Sequence, residues 1–270
     1  MPIHFKALIL IILLCSPVLY ADDNSWKKTL HTPNVTLIPI QRIAKSSHLF
    51  TQGLVISDGV LYQSSGGYGK SLLCKIRLSD LIEKNTDDGQ DCVALSPDIF
   101  AEGISIDGQQ IAMLTWKSHS LQIRDKADFA LLRRHSFNGE GWGLTRNDTE
   151  YIMSNGSHRL YFRSLDDFSL QRDIALYHHK RRLDRLNELE WINGHIWANR
   201  WHNSSVYIID PNTEKVLSEV DFKHLLPRIY KTNKQAVVNG IAYDSQQSRL
   251  LITGKLWPYY YLYRVKNVTE

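Results

Sequence analysis

Five segments of this chain begin alike, and that repetition restricts the folds open to it more than any other feature. Gly53-Leu54-Val55-Ile56, Gly103-Ile104-Ser105-Ile106, Gly143-Leu144-Thr145-Arg146, Glu188-Leu189-Glu190-Trp191 and Gly240-Ile241-Ala242-Tyr243 follow one another at separations of 50, 40, 45 and 52 residues. A polar turn comes after each: Ser57-Asp58-Gly59, Asp107-Gly108, Asn147-Asp148, Asn193-Gly194 and Asp244-Ser245. A second apolar run then begins, at residues 60–63, 111–114, 151–153, 195–198 and 249–252. A short strand, a tight turn rich in Asn, Asp and Gly, and another strand make a β-hairpin.

The rest of each unit has room for two more strands, as in 159–163 with 169–175 and in 206–210 with 215–221. Four strands at a period near 45 residues predict an all-β, five-bladed β-propeller, its sheets set radially around a channel. A sandwich is the competing architecture, but it does not require five copies of one hairpin start. The fifth unit is a strand short, and the run 35–42 ahead of the first hairpin has no blade of its own. The last blade is therefore expected to be closed by the N-terminal strand, which also covers otherwise bare edges. Residues 177–186, which are strongly basic, and 223–235 read as insertions, the second with a short helix at 222–226.

Composition fits one globular unit, with 43% hydrophobic and 22% charged residues among 270. The formal charge of +4 comes without a long basic tract or a nucleic-acid motif. Lys180-Arg181-Arg182 thus reads as a solvated loop, and no nucleic-acid partner is expected. Residues 1–21 have the layout of a secretory signal: His4 and Lys6 precede an apolar stretch, followed by Pro17 and a small-residue site ending at Ala21. That stretch is short for a bilayer, and Leu14 before Cys15 argues against lipid attachment. Cleavage after Ala21 leaves a single propeller domain over 22–270, periplasmic or secreted, with no membrane partner and expected to be a monomer. The mature chain keeps Cys74 and Cys92, which in an oxidising compartment predicts one disulfide, against the alternative of two free buried thiols.

Residues at equivalent strand ends of a propeller converge near the axis. Gln52, Glu102, Trp142, Asn187 and Asn239 stand just before the five first strands. Just after the second strands come Ser64-Ser65-Gly66, Thr115-Trp116-Lys117, Ser154-Asn155-Gly156, Asn199-Arg200-Trp201 and Thr253-Gly254-Lys255. First-strand starts and second-strand ends share one mouth, so amides, aromatic faces, a lysine and a carboxylate meet there as a small-ligand pocket. Each also has a plainer reading. Trp142 and Trp201 fit packing between blades, Asn187 and Asn239 fit local turn bonds, and Lys255 fits a surface cation. Glu102 is hardest to explain that way, because a carboxylate facing a crowded channel acquires a raised pKa suited to proton transfer. Glu188 and Glu190 alternate with Leu189 along a strand and favour a salt-bridge or structural use. The eleven histidines include no set spaced like a zinc site, so neither a catalytic metal nor another cofactor is expected.

Several of these motifs, in this order, resemble the plant and bacterial type of glutaminyl-peptide cyclotransferase. They are Phe50-Thr51-Gln52-Gly53-Leu54, Phe100-Ala101-Glu102-Gly103-Ile104 with Leu114-Thr115-Trp116-Lys117, and Glu140-Gly141-Trp142-Gly143-Leu144-Thr145. Further along stand Leu186-Asn187-Glu188-Leu189-Glu190, Ala198-Asn199-Arg200-Trp201, Val238-Asn239-Gly240-Ile241 and Thr253-Gly254-Lys255-Leu256-Trp257-Pro258. The resemblance spans about 35–265 and implies a five-bladed propeller that closes the N-terminal glutamine of peptides or proteins to pyroglutamate, releasing ammonia. It implies an active site of Phe50, Gln52, Glu102, Trp116, Trp142, Asn187, Trp201 and Lys255, with Glu102 as general acid and base. Departures are Ala101, where the family often has glycine, and the more basic 177–186. A non-catalytic scaffold binding peptide or sugar, and a lactonase built around calcium, are the alternatives. The scarcity of channel-facing acids disfavours the lactonase.

Overall fold

The computed structural model describes residues 24–226 and 233–266. The expected signal segment 1–21 lies outside the described residues, as does part of the 223–235 insertion. Five sheets form the five blades, each antiparallel and each ordered from the inside outward. The first contains Thr51–Ser57, Val60–Ser65, Leu72–Arg77 and Asp91–Ala94. The second contains Ala101–Asp107, Gln110–Thr115, Ser120–Asp125 and Leu131–Ser136. Leu144–Arg146, Glu150–Ser154, Arg159–Ser164 and Leu170–Ala175 make the third. Leu186–Ile192, His195–Arg200, Ser205–Asp210 and Lys215–Asp221 make the fourth.

The fifth blade is closed as expected. Its own strands are Val238–Asp244, Arg249–Gly254 and Tyr259–Lys266, and the N-terminal strand Thr36–Ala44 pairs with the last of these from Thr36 opposite Lys266 to Ala44 opposite Tyr259. Pro39 has no N–H to give a ladder, and the register of this pair shifts just there, between Pro39 and Gln41. Leu30–His31 adds a short fifth strand outside.

Radial sheets leave apolar faces looking at their neighbours, so the core divides into five clusters, one at each interface between blades. Trp197, Val206 and Ile208 of the fourth blade pack on Ile241, Leu250 and Tyr263 of the fifth. Leu54 and Leu61 of the first pack on Ala242, Leu251 and Leu262 of the fifth, on the other side. A helix, Leu78–Lys84, joins the third and fourth strands of the first blade and buries Leu78 and Leu81 in that second cluster. The helix is additional to what the repeat implied, because it lies inside a unit, between outer strands that the repeated hairpin starts do not mark. The short helix of the 223–235 insertion is a 3₁₀ turn, Lys223–Leu225. Cys74 and Cys92 face each other across the first blade and are bonded, with Cα atoms 4.1 Å apart, so the free-thiol alternative falls. Among the described residues no helix is long and apolar enough to cross a membrane.

Candidate active site

The heads of four of the innermost strands are bulged, and the bulges aim side chains at the axis. In the second blade Ala101 pairs with Thr115 and Ile104 with Met113, which leaves Glu102 and Gly103 opposite Leu114 alone. Gln52 has no partner between the Thr51–Ser65 and Gly53–Ser64 pairs. Asn187 with Glu188, and Asn239 with Gly240, are bulged in the same way. An extra residue in one strand turns its side chain out of the alternating pattern, here into the channel.

Hydrogen bonds to the head carbonyls tie each blade to the next. Ser64 Oγ donates to the Glu102 carbonyl at 2.6 Å, and Gly103 N to that of Trp142 at 2.7 Å. Ser154 Oγ donates to Asn187 O at 2.6 Å, and Asn199 Nδ2 to Val238 O. Asn239 Nδ2 completes the circuit on Thr51 O at 2.9 Å and Gln52 O at 3.1 Å. The five heads are thus fixed relative to one another by buried polar contacts, which orients the pocket they surround.

That pocket has a volume of about 320 Å³. It brings together all eight of the residues named from sequence: Phe50, Gln52, Glu102, Trp116, Trp142, Asn187, Trp201 and Lys255. Its walls are aromatic. Trp142 meets Trp201 edge to face at 5.4 Å, and Phe100 meets Trp116 likewise at 5.4 Å. Its floor is polar and buried: Gln52 is 2% exposed, Glu102 5%, Asn187 1% and Lys255 7%. Gln52 Nε2 donates to Glu102 Oε1 at 3.3 Å. The Lys255 ammonium lies 5.1 Å from the Phe50 ring and 5.9 Å from that of Trp201, within cation–π reach. It is a buried cation, not the surface one that the sequence also permitted.

Burial pushes the Glu102 carboxyl up to about 8, with the Lys255 charge opposing and that of Glu140 reinforcing the shift. Burial pulls Lys255 below its ordinary value, with Glu102 acting the other way. Two buried polar atoms of the pocket residues, Gln52 Oε1 and Trp201 Nε1, have no hydrogen-bond partner among the described residues. One is an acceptor and the other a donor.

Asn187 and Asn239 do not make the local turn bonds that sequence allowed. Asn187 Nδ2 donates to Asn239 Oδ1 at 2.6 Å, so Asn239 supports from below a residue that lines the pocket. The two acids beneath the site take no salt bridge among the described residues. Glu190 accepts the Tyr243 N–H at 2.9 Å and Glu188 that of Leu54 at 3.4 Å, pinning the innermost strands of the fifth and first blades to the fourth. Burial raises the carboxyls of both, Glu190 to about 8.

Sequence reasoning passed over Phe100, Gln235 and Glu140. The first two line the pocket. Glu140 Oε2 accepts both the Trp116 indole N–H at 2.8 Å and that of Trp142 at 3.0 Å, joining two walls through one oxygen. The signal available was an acid two residues before a site tryptophan. Its second partner, 24 residues upstream, became visible only in the folded ring. Hydrogen bonds to a charged acceptor contribute about 1.5–3 kcal/mol each. Glu140→Ala is therefore expected to lower kcat/KM about tenfold or more, mainly through KM, and Glu140→Gln, which keeps an acceptor oxygen, to restore most of it. Unchanged kinetics in Glu140→Ala would show that the indoles hold their places without it.

Residues 10–266 match the model of the family described as glutamine cyclotransferase. The chain belongs to that family. It is 29% identical over 243 residues to the glutaminyl-peptide cyclotransferase of Arabidopsis thaliana, a match covering 85% of this chain and 72% of the relative. The crystal structure of the Myxococcus xanthus glutaminyl cyclase is similar to it with a TM-score of 0.75 at 32% identity, covering 86% of this chain and 97% of that one. The propeller expected from the repeat is thus the architecture seen here, and this solved glutaminyl cyclase superposes on most of it.

Proposed function

We propose that this glutamine cyclotransferase closes N-terminal glutamine to pyroglutamate with release of ammonia, and that Glu102 carries the proton. The observation behind the second part is a buried carboxyl raised to about 8 at the floor of an aromatic pocket. The reaction begins with an α-ammonium that loses a proton before its nitrogen attacks the side-chain carboxamide carbon. It ends with that nitrogen losing a second proton as the lactam forms, and with the carboxamide nitrogen gaining one and leaving as ammonia. One carboxyl with a pKa near that of an α-amino group, about 7.7–8.0, takes the first proton as carboxylate, gives it as acid to the leaving nitrogen, and accepts the second as the ring closes.

The remaining residues are assigned by what they offer. The substrate carboxamide presents an acceptor oxygen and donor N–H groups. Trp201 Nε1, with no partner among the described residues, suits the oxygen, and Gln52 Oε1, also without one there, suits the N–H. Lys255 places a positive charge where the carbonyl oxygen becomes an oxyanion, and such donors contribute about 10²–10³ in rate. Trp116 and Trp142, held by Glu140, and Phe50 exclude water and keep the glutamine side chain folded toward its own amine. Asn187, braced by Asn239, fixes one wall. The bonded Cys74 and Cys92 support an oxidising compartment, and the layout of residues 1–21 supports export to the periplasm or beyond.

The test is incubation of a Gln-initiated peptide with the purified protein. Loss of 17 mass units, about one ammonia, with equimolar ammonia in solution is the expected result. A Gln-initiated peptide recovered unchanged would sink the reading.

A further inference from the structure

The pocket opens on a face that carries exposed cations with no carboxylate partner among the described residues. Innermost strands run away from the pocket, so the turns within the first hairpins lie on the far face. Asp107 and Asp244 end strands there and Asp58 stands in a turn, and the nearby cations are neutralised by them: Lys126 by Asp58, Arg146 by Asp107, Arg249 by Asp244. Connections from one blade to the next lie on the pocket face, and the longest fully described one carries the basic hairpin Tyr177–His178 and Arg181–Arg182. Lys180, Arg181, Arg182 and Arg185 are exposed and have no carboxylate partner among the described residues. Lys117, beside Trp116, and Lys234, beside Gln235, are exposed and unpaired with any described carboxylate as well. The acids close by are engaged: Glu140 holds two indoles, and Asp184 lies 3.6 Å from His158.

The hairpin is anchored to the pocket wall. Trp201 N donates to Arg185 O at 2.8 Å, and Arg185 N to Gly156 O at 2.8 Å. Gly156 in turn lies so close under Trp142 that a Cβ would come 2.6 Å from its ring. The turn itself is costly for its residues. His179 and Lys180 have φ of 49° and 63°, the left-handed pair that Asn-Gly usually fills, and Arg185 has φ of 66°. A lysine stands where a glycine avoids strain, so the turn favours charge over backbone comfort.

We infer that this face is a docking surface for acidic substrate chains: peptides or proteins with Asp or Glu in the residues that follow the N-terminal glutamine. The inference rests on the cyclase reading, since only the first residue enters the pocket and the rest of the chain must leave across this mouth. Unpaired cations around a cleft raise the encounter rate of anionic partners and do so less at high salt.

The experiment compares three peptides that share Gln-Ala at the start and then carry acidic, uncharged or basic residues. At low salt the acidic peptide is expected to exceed the uncharged one about tenfold in kcat/KM, and the basic one to fall below it. The difference is expected to collapse by about 0.5 M salt. A Lys180→Gln, Arg181→Gln, Arg182→Gln variant should lose the preference while turning over the uncharged peptide at the wild-type rate. Equal kcat/KM for acidic and uncharged peptides at low salt overturns the inference, as does a preference that survives in the triple variant. Binding of wild type, but not the variant, to vesicles rich in anionic phospholipid, together with no peptide preference, would reassign the face to a membrane. Failure to cyclise any of the three peptides would count against the cyclase reading instead.

Discussion

Glu102→Gln is expected to lower kcat by about 10²–10⁴ while leaving the fold intact, because general acid–base catalysis contributes on that scale. The amide is the same size as the carboxyl and keeps a polar group beside Gln52, whose Nε2 lies 3.3 Å from Glu102 Oε1. It also removes no buried charge pair, since a carboxyl raised to about 8 is neutral in the empty site at pH 7. The thermal midpoint should therefore stay within about 2 °C of wild type. The pH profile separates a proton carrier from a mere contact. Productive binding needs one proton between the Glu102 carboxyl and the α-amine, about 8 and about 7.7–8.0 respectively. Below that range both groups hold protons and the carboxyl cannot accept another; above it both have lost them and none remains for the leaving ammonia. A bell in kcat/KM centred near pH 8 follows, and the residual activity of Glu102→Gln should lose the limb that belongs to the carboxyl. A variant retaining most of its turnover would show that the proton travels another way.

The identity of the pocket residues was legible because propeller symmetry converts sequence position into spatial position. Once 53, 103, 143, 188 and 240 are known to be equivalent, the residues just before them and those closing the second strands have to meet at one end of one channel. That inference needs no side-chain detail, and Gln52, Glu102, Trp142 and Asn187 followed from it with Trp116, Trp201 and Lys255. What it does not encode is which groups touch. Glu140 sits between Trp116 and Trp142 because the connection 137–143 folds back over the second blade. Asn239 reaches Thr51 and Asn187 across two different blade interfaces. Glu188 and Glu190 fit a salt-bridge or a structural use by residue type, and the structure shows the second, since their neighbours across the channel are strand N–H groups. Such contacts depend on the radius at which five sheets close, and no local pattern reports that radius. The positive face had the same history. Lys180-Arg181-Arg182 is exposed, as a solvated run should be, but only the ring shows that its hairpin is tied to Trp201 through Arg185 and that its cations have no carboxylate partner among the described residues.

The glycines that marked the repeat also set that radius, which makes Gly143→Ala the largest stability change expected in the molecule. A Cβ there would lie 1.8 Å from the Asn187 carbonyl oxygen, 2.7 Å from its carbon and 2.8 Å from Glu188 Cα. All three atoms are backbone, so no side chain can rotate away, and the third and fourth blades must part. Overpacking of a tight core costs about 1–3 kcal/mol and occasionally more; with rigid backbone as the obstacle, about 3 kcal/mol or above is expected. Gly89 supplies the control. It has φ of +84° and open space around it, so Gly89→Ala meets only conformational strain, about 1–2 kcal/mol. Urea unfolding of the two variants should place Gly143→Ala clearly below Gly89→Ala. The displaced Asn187 carbonyl is also the acceptor for Ser154 Oγ, and that same hydroxyl receives the Gly143 N–H at 2.8 Å. Moving it shifts Asn187 within the pocket, so the folded fraction of Gly143→Ala should show a raised KM while Gly89→Ala does not. Equal stability and equal KM in the two variants would mean that the ring widens at this interface without cost, and that the glycine at the head of a blade has no part in holding the site.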